Sequence, residues 1–508
     1  MRSKGKVITI DVGTSSLVSS LYDFCGKLVY SSQFRYSPIF MGGNQVEQEL
    51  DSWKEAVFKT LGEIGEYCKN NNHLVDVISI TSQRASIIPI DKNNNPLHRA
   101  IMWQDKRSVK ESEHLSKELG DQNVYEKTGL RVDSYFSAPK IMWLKNNKKD
   151  IFEKASKFIG VQDYVAYLLT KTIITDPSQA TRTLMMNLNS KEWDQELLKL
   201  VGINSSNLPT IVESASVCGY LDKNSANQVG LKEGIPVVLA GGDQACAAMA
   251  LGMVEPGVIV ANTGTGAFTL GFSNKPKLHP KQKTLCSAGP LPGSYFIEAG
   301  LITGGILNQW FVEQFYKGLE IEESFAKYFK EIEASPVGSN GVVALPHFKG
   351  ASAPYWNPKS KGTFFNITLS TTRADMGRSV LEGVALEMGL NFALIKNLIG
   401  NEFKGIAIGG GMTRRDIFNQ MQADIYNHEV SVAESTEATS LGAWMSAMVA
   451  IKEYSDHKTA YSQIVSKSLK SFGPNSNSAE TYKNIQMKRE LLYNSLNHNP
   501  ALFNSFYE

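Results

Sequence analysis

Val7-Ile8-Thr9-Ile10-Asp11-Val12-Gly13-Thr14-Ser15-Ser16 is the first patterned stretch of the chain. Apolar, β-branched residues run into an aspartate and then into a turn of Gly, Thr and Ser. Such a short run, closed by turn residues, reads as a buried strand over Val7–Val12. Leu17–Tyr22 reads as a second strand, and Gly26 opens the turn into a third over Leu28–Phe34, which makes a β-meander. Beyond it the pattern predicts a helix over Asp51–Lys69, a buried strand over Val75–Thr81, and helices near Val109–Leu119 and Ala138–Asn146. The second half restarts the scheme. Pro236–Ala240 reads as a strand, Gly241-Gly242-Asp243 as a turn, and a small-residue helix runs through Ala250. Val258–Asn262 and Ala267–Phe272 then flank the turn Thr263-Gly264-Thr265-Gly266. Set beside Ile8–Thr14, the stretch Val260–Gly266 is a weak internal repeat at domain scale. It predicts two related α/β domains facing across a cleft and joined near residues 240–256. Alternating helices and strands continue to about Ala450, followed by a helix over Ser478–Leu496.

The bulk properties exclude several classes. A chain of 508 residues exceeds the usual size of one hydrophobic core, so two large domains are expected. The 52 basic and 50 acidic residues leave a net charge of +2, without the footprint of a nucleic-acid binder. No uncharged apolar stretch has the length of a membrane span, and Asp11 interrupts any signal-peptide reading of the basic start. The cysteines, Cys25, Cys68, Cys218, Cys246 and Cys286, form no CxxC pair, and the histidines form no HxxxH or HxH pair. The expectation is a cytoplasmic protein with reduced thiols and no zinc site.

Four constellations carry candidate chemistry, each with a plainer alternative. Asp11-Val12-Gly13-Thr14-Ser15-Ser16 offers backbone N–H groups and hydroxyls to an anion, and a carboxylate to magnesium beside it; it reads equally as a polar hairpin tip. Asn262-Thr263-Gly264-Thr265-Gly266 repeats the device. Neither turn fits GxxxxGK[ST] or GxGxxG, which disfavours P-loop and dinucleotide readings. Asp243, in Gly241-Gly242-Asp243-Gln244, is either a helix cap or a base that takes a proton from an attacking hydroxyl. Gly409-Gly410-Gly411 is either a flexible turn or a surface for a flat ligand.

Together these segments resemble the FGGY family of carbohydrate kinases, of the actin/hexokinase/Hsp70-like superfamily, from about Val7 to about Ala450. The glycerol kinase branch is nearest along Ile80-Thr81-Ser82-Gln83-Arg84, Ala100–Arg107, Ser134–Lys140 and Ala353–Pro358. Asp176-Pro177-Ser178 and Glu437–Gly442 are also family-like. The resemblance implies an α/β fold with two actin-like (ribonuclease H-like) domains flanking an interdomain catalytic cleft. It implies an N-terminal, mainly sugar-binding domain at 1–245, a mainly nucleotide-binding domain at 246–455 and a helical extension at 456–508. Asp243 would be the general base. Gln83, Arg84, Trp103, Tyr135, Gln244 and Phe268 would join it around the substrate. Gly13, Thr14, Ser15, Ser16, Gly264, Thr265 and Gly266 would hold phosphates, with Asp11 near Mg2+. Gly305, Gln309, Gly410, Gly411 and Arg415 would hold the rest of ATP.

Two departures matter, one on the substrate side and one near the phosphates. Glycerol kinases have an acidic residue where this chain has Ala85, and an arginine where it has Val18. The Gln-Met-His-Gly segment of xylulokinases is replaced by Gln83-Arg84-Ala85-Ser86. A ketose, pentitol, tetritol or glycerol-like acceptor, an autoinducer-2 type kinase and a non-catalytic binding protein on the same scaffold all remain open, as does a homodimer or homotetramer. His347 and Lys349 read as loop residues near the cleft, and Lys488-Arg489-Glu490 as a solvated helix face.

Overall fold

The computed structural model describes residues 5–433, 437–464 and 470–498. Strands Lys6–Val12, Ser16–Tyr22 and Leu28–Arg35 form the antiparallel meander that the opening pattern predicts. Val75–Ser82 joins Lys6–Val12 in parallel, and Pro236–Gly242 joins Val75–Ser82 in parallel. In order of appearance these strands lie 3-2-1-4-5 across the sheet, with Ser216–Tyr220 added on the outer edge. The parallel strands are covered on both faces, which is why Val7, Ile8, Ile10, Val77, Ile78 and Ile80 are all fully buried and read as continuous apolar runs.

The second sheet repeats the arrangement. Val258–Thr263, Ala267–Ser273 and Tyr295–Leu301 form a meander, and Gly405–Gly409 and Val430–Val432 extend it in parallel. The order is again 3-2-1-4-5, with Leu285–Ala288 and Lys470–Phe472 on the edges. The weak repeat in the sequence is therefore a duplicated sheet.

Two small-residue helices join the halves. Asp243–Ala250 packs on Ala438–Ala450, and the latter lies against the first sheet although it follows the second domain's strands. Their backbones meet closely: a Cβ on Gly442 would stand 2.0 Å from the Cys246 carbonyl oxygen. One apolar cluster, including Val7, Val77, Met249, Val260, Leu270 and Met445, spans both domains. A lobe inserted between Val75–Ser82 and Pro236–Gly242 has its own core around Leu115, Phe136, Ile141 and Leu197. Helix Ser476–Asn497 docks on the second domain.

That docking corrects the expectation of a solvated face at Lys488-Arg489-Glu490. Lys488 and Glu490 are exposed, but Arg489 is buried and paired with Glu387. Tyr482, Arg489 and Tyr493 share one helical stripe, and that stripe faces inward. His347 is in a loop, as expected, yet it too is buried, with Nε2 3.2 Å from Glu387 Oε1. Burial alone would raise the Glu387 carboxyl, but Arg489 and His347 hold it down at about 2.

Candidate active site

The parallel strands of the first sheet all end at one place. Lys6–Val12 brings Asp11 there, Val75–Ser82 brings Gln83 and Arg84, and Pro236–Gly242 brings Asp243. The carboxyl ends of parallel strands are where ligands bind in open α/β sheets.

The turn carrying Asp243 is held by a buried polar network. Asp176 accepts from the Ser178 amide (2.9 Å) and hydroxyl (2.6 Å), from Ser214 Oγ (2.8 Å) and from Gln162 Nε2 (2.6 Å). Ser178 Oγ and Gln162 Oε1 in turn accept from the backbone N–H groups of Gly242 and Gly241. Gly241 has φ of +102°, and a Cβ there would stand 2.6 Å from Ser178 Oγ, so glycine is required. At Gly242 a Cβ would lie 2.4 Å from Arg84 Cδ, so the missing side chain is what lets Arg84 pass.

Arg84 uses that passage. Its Nη2 donates to Gln244 Oε1 at 2.6 Å, and its Nε lies 3.9 Å from Asp243 Oδ1. Asp243 opens the helix Asp243–Ala250 without being its N-cap, which is Gly242, although Oδ1 accepts from the Gln244 amide at 2.7 Å. Its side chain is 33% exposed, so part of the carboxylate is open to solvent. Burial raises its proton affinity above the ordinary carboxylate value and Arg84 opposes the rise.

The other expected substrate residues make contacts of their own. Trp103 stands 5.7 Å from the Tyr135 ring, and its indole N–H donates to Thr14 Oγ1 at 3.1 Å. Gln83 Nε2 donates to the Gly13 carbonyl at 3.1 Å, which ties the substrate side to the first turn. Phe268 lies on the second domain's sheet, its ring over Gly300. Ala85 has φ of +65° and turns its carbonyl to Lys140 Nζ at 2.9 Å. Lys140 also donates to the Tyr135 carbonyl, and burial brings its pKa down to about 7.

Three side chains at this site have no counterpart among the expected residues. Glu298, on Tyr295–Leu301, lies 3.6 Å from Arg84 Nη2 and 3.4 Å from Arg182 Nη1. Arg182 stands 5.5 Å from the Tyr135 ring and 5.2 Å from that of Phe136. Burial alone would raise Glu298; Arg182 and Arg84 hold it below the usual carboxylate range. Lys140 is the third. The only sequence signals are charged residues inside apolar surroundings, and they are faint.

Asp11 is the last residue but one of its strand, with Oδ1 buried and without a hydrogen-bond partner. Burial, then the charges of Asp243 and Glu437, push its carboxyl up to about 8. Val18 is its cross-strand partner on the same face, so an apolar group adds to that environment. An unpartnered carboxylate oxygen held against a second carboxylate is an environment that a cation would relieve. Among the described residues no three His, Cys, Asp or Glu side chains gather. A cation here would lean on one or two carboxylates, water and phosphate oxygens, which is how Mg2+ binds.

On the second domain the Gly264–Gly266 turn meets two other glycine segments. The Gly304 amide donates to the Thr265 carbonyl and the Gly305 amide to that of Gly264. A Cβ on Gly410 would lie 2.5 Å from the Thr263 carbonyl oxygen. A cavity of about 860 Å³ opens beside them, lined by Asn262, Gly410, Gly411, Thr413, Ala247 and Leu251 among others. Gln309 and Arg415 are not among its lining residues: Gln309 donates to Glu313, and Arg415 lies 4.4 Å over the Phe329 ring.

Models of the FGGY family of carbohydrate kinases match here, the N-terminal domain over residues 6–250 and the C-terminal domain over 259–451. The chain belongs to the FGGY family of carbohydrate kinases. It is an ATP-dependent kinase acting on a hydroxyl of a small sugar or polyol. Glycerol kinase of Thermococcus onnurineus is 32% identical over 476 residues, 92% of this chain and 93% of that protein. Xylulose kinase of Staphylococcus xylosus is 29% identical over 441 residues, 87% of this chain and 90% of the relative. The structure of gluconate kinase from Lactobacillus acidophilus superposes with a TM-score of 0.92 at 25% identity, covering 99% of this chain and 100% of that one. No helix among the described residues is long and apolar enough to cross a membrane.

Proposed function

We propose that Asp243 is the general base of this kinase, taking the proton from the acceptor hydroxyl as it attacks the γ-phosphorus of ATP. The observation that carries the reading is the partly exposed Asp243 carboxylate, whose proton affinity is raised by burial, which accepts from the Gln244 amide and which lies beside Arg84. Arg84 and Gln244 orient the hydroxyls, while Trp103 and Tyr135 form the apolar wall against which carbon atoms lie. The Gly13–Ser16 and Gly264–Gly266 turns hold the phosphates. Asp11 holds Mg2+, which neutralises phosphate charge when bound. Phosphoryl transfer needs positioning and charge neutralisation above all, and closure of the domains excludes water as a rival acceptor.

The acceptor is larger than glycerol. Ala85 offers no carboxylate after Arg84, and its left-handed backbone turns toward Lys140. Relatives acting on glycerol, xylulose and gluconate share this scaffold, so the test is Mg2+- and ATP-dependent ADP release across glycerol, erythritol, pentitols, ketopentoses, D-gluconate and the autoinducer-2 precursor. The expected result is strong stimulation by one acceptor of four or more carbons. Preference for glycerol would overturn the size argument, and ADP release independent of any acceptor would overturn the assignment of Asp243.

A further inference from the structure

Strand Tyr295–Leu301 carries one charge on a face otherwise built for apolar packing. Phe296, Glu298 and Gly300 alternate onto the same side, and their partners across the ladder are Phe272, Leu270 and Phe268. Phe272, Phe296 and Leu270 belong to the cluster shared by the two domains. A carboxylate buried there is unfavourable unless it is paired. Both ion-pair partners of Glu298, Arg84 and Arg182, come from the other domain. The Arg84 nitrogen that faces Glu298 is also the one that donates to Gln244. Without Glu298, the nearest anion left to Arg84 is Asp243, 3.9 Å from its Nε. The guanidinium would then tighten onto the base and leave the acceptor side.

We propose that Glu298 is a positioning residue: the second domain sets its carboxylate between Arg84 and Arg182, which holds Arg84 toward the acceptor and off Asp243. The consequence is that acceptor binding depends on domain contact, whereas the phosphate-binding turns do not feel the change. This rests on the reading of Asp243 as base. An Asp243→Asn enzyme turning over at the wild-type rate would sink that reading whatever the Glu298 variants do.

The test is steady-state kinetics of Glu298→Gln and Glu298→Asp with whichever acceptor of the panel above serves the wild-type enzyme best, beside thermal unfolding of each. For Glu298→Gln the expected result is a fall of about tenfold or more in kcat/KM for the acceptor, with KM for ATP within about twofold of wild type. Glu298→Asp, which keeps the charge one methylene short, recovers part of the loss. A folded Glu298→Gln with unchanged acceptor kinetics overturns the proposal, as does a loss shared equally by acceptor and ATP. If Glu298→Gln does not fold, Glu298→Asp decides: a severalfold rise in acceptor KM alone supports the proposal, and wild-type acceptor KM overturns it.

Discussion

The hairpin of Lys6–Val12 with Ser16–Tyr22 and the hairpin of Val258–Thr263 with Ala267–Ser273 occupy the same place in two copies of one sheet. Each ends in a glycine turn beside the cleft. At matching positions, however, the first carries Asp11 and the second Asn262. Asp11 is pushed up to about 8 by burial and by Asp243; Asn262 has no charge to lose. The duplicated scaffold thus holds two polar cradles, and of the two matching positions only the first carries a carboxylate. A polyphosphate between them would meet neutral donors on one side and a carboxylate site for a cation on the other. On the proposed reading both turns hold phosphates and the first alone adds a carboxylate for the cation, so charge neutralisation, which phosphoryl transfer requires, falls to one half.

The largest effect that this division predicts is at Asp243. Asp243→Asn keeps the shape of the turn and removes the base, so kcat should fall roughly a thousandfold with near-native unfolding temperature. Wild-type turnover in the variant would move the chemistry elsewhere. The same residue sets the pH profile. Its folded pKa is raised, and only the ionised form accepts a proton. Activity should therefore fall with decreasing pH along a limb lying above the ordinary carboxylate range near about 4. A limb at or below that value would show Asp243 to be an ordinary surface carboxylate.

Asp11→Asn makes the first hairpin like the second. It should lower kcat about a hundredfold and weaken the dependence on Mg2+. It should also raise stability in the absence of ligand, and the sign follows from linkage. A carboxyl raised in the folded state to about 8 favours folding below its unfolded pKa, and that contribution is lost as pH rises toward 8. Melting temperatures of the ligand-free protein should fall over that window, less steeply in Asp11→Asn. Parallel curves for the two proteins would remove Asp11 from the account.

Much of this was legible along the chain because it is locally written. The runs around Val7–Val12 and Pro236–Ala240 carry Asp11 near the end of one strand and Asp243 just past the other, so strand and functional group are contiguous, and the structure extends each strand by one or two residues. The repeat was legible for the same reason. Glu298 was not, because its partners lie 116 and more positions away and its own strand looks like any apolar run with one interruption. Lys140 and Arg489 show the same difficulty in helices. A charged side chain on a helix looks solvated until the facing element is known, and here the facing groups are two carbonyls in one case and Glu387 in the other.

The reciprocal exchange is the finer test of the two-cradle argument. Asn262→Asp puts a carboxylate where the second half has none, opposite Phe268 in the ladder and beside Gly410, whose added Cβ would stand 2.6 Å from Asn262 Oδ1. If the neutral cradle faces phosphate oxygens, the new charge repels them across the cleft, where screening is incomplete. KM for ATP should rise about tenfold, with acceptor KM little changed. If Asn262 serves only to fill the strand end, a near-isosteric carboxylate would leave ATP binding untouched, and the asymmetry between Asp11 and Asn262 would reduce to packing. A tighter KM for ATP at high Mg2+ would give a third reading: the second hairpin accepts a cation as readily as the first, and the separation of roles between the halves depends on that single side chain.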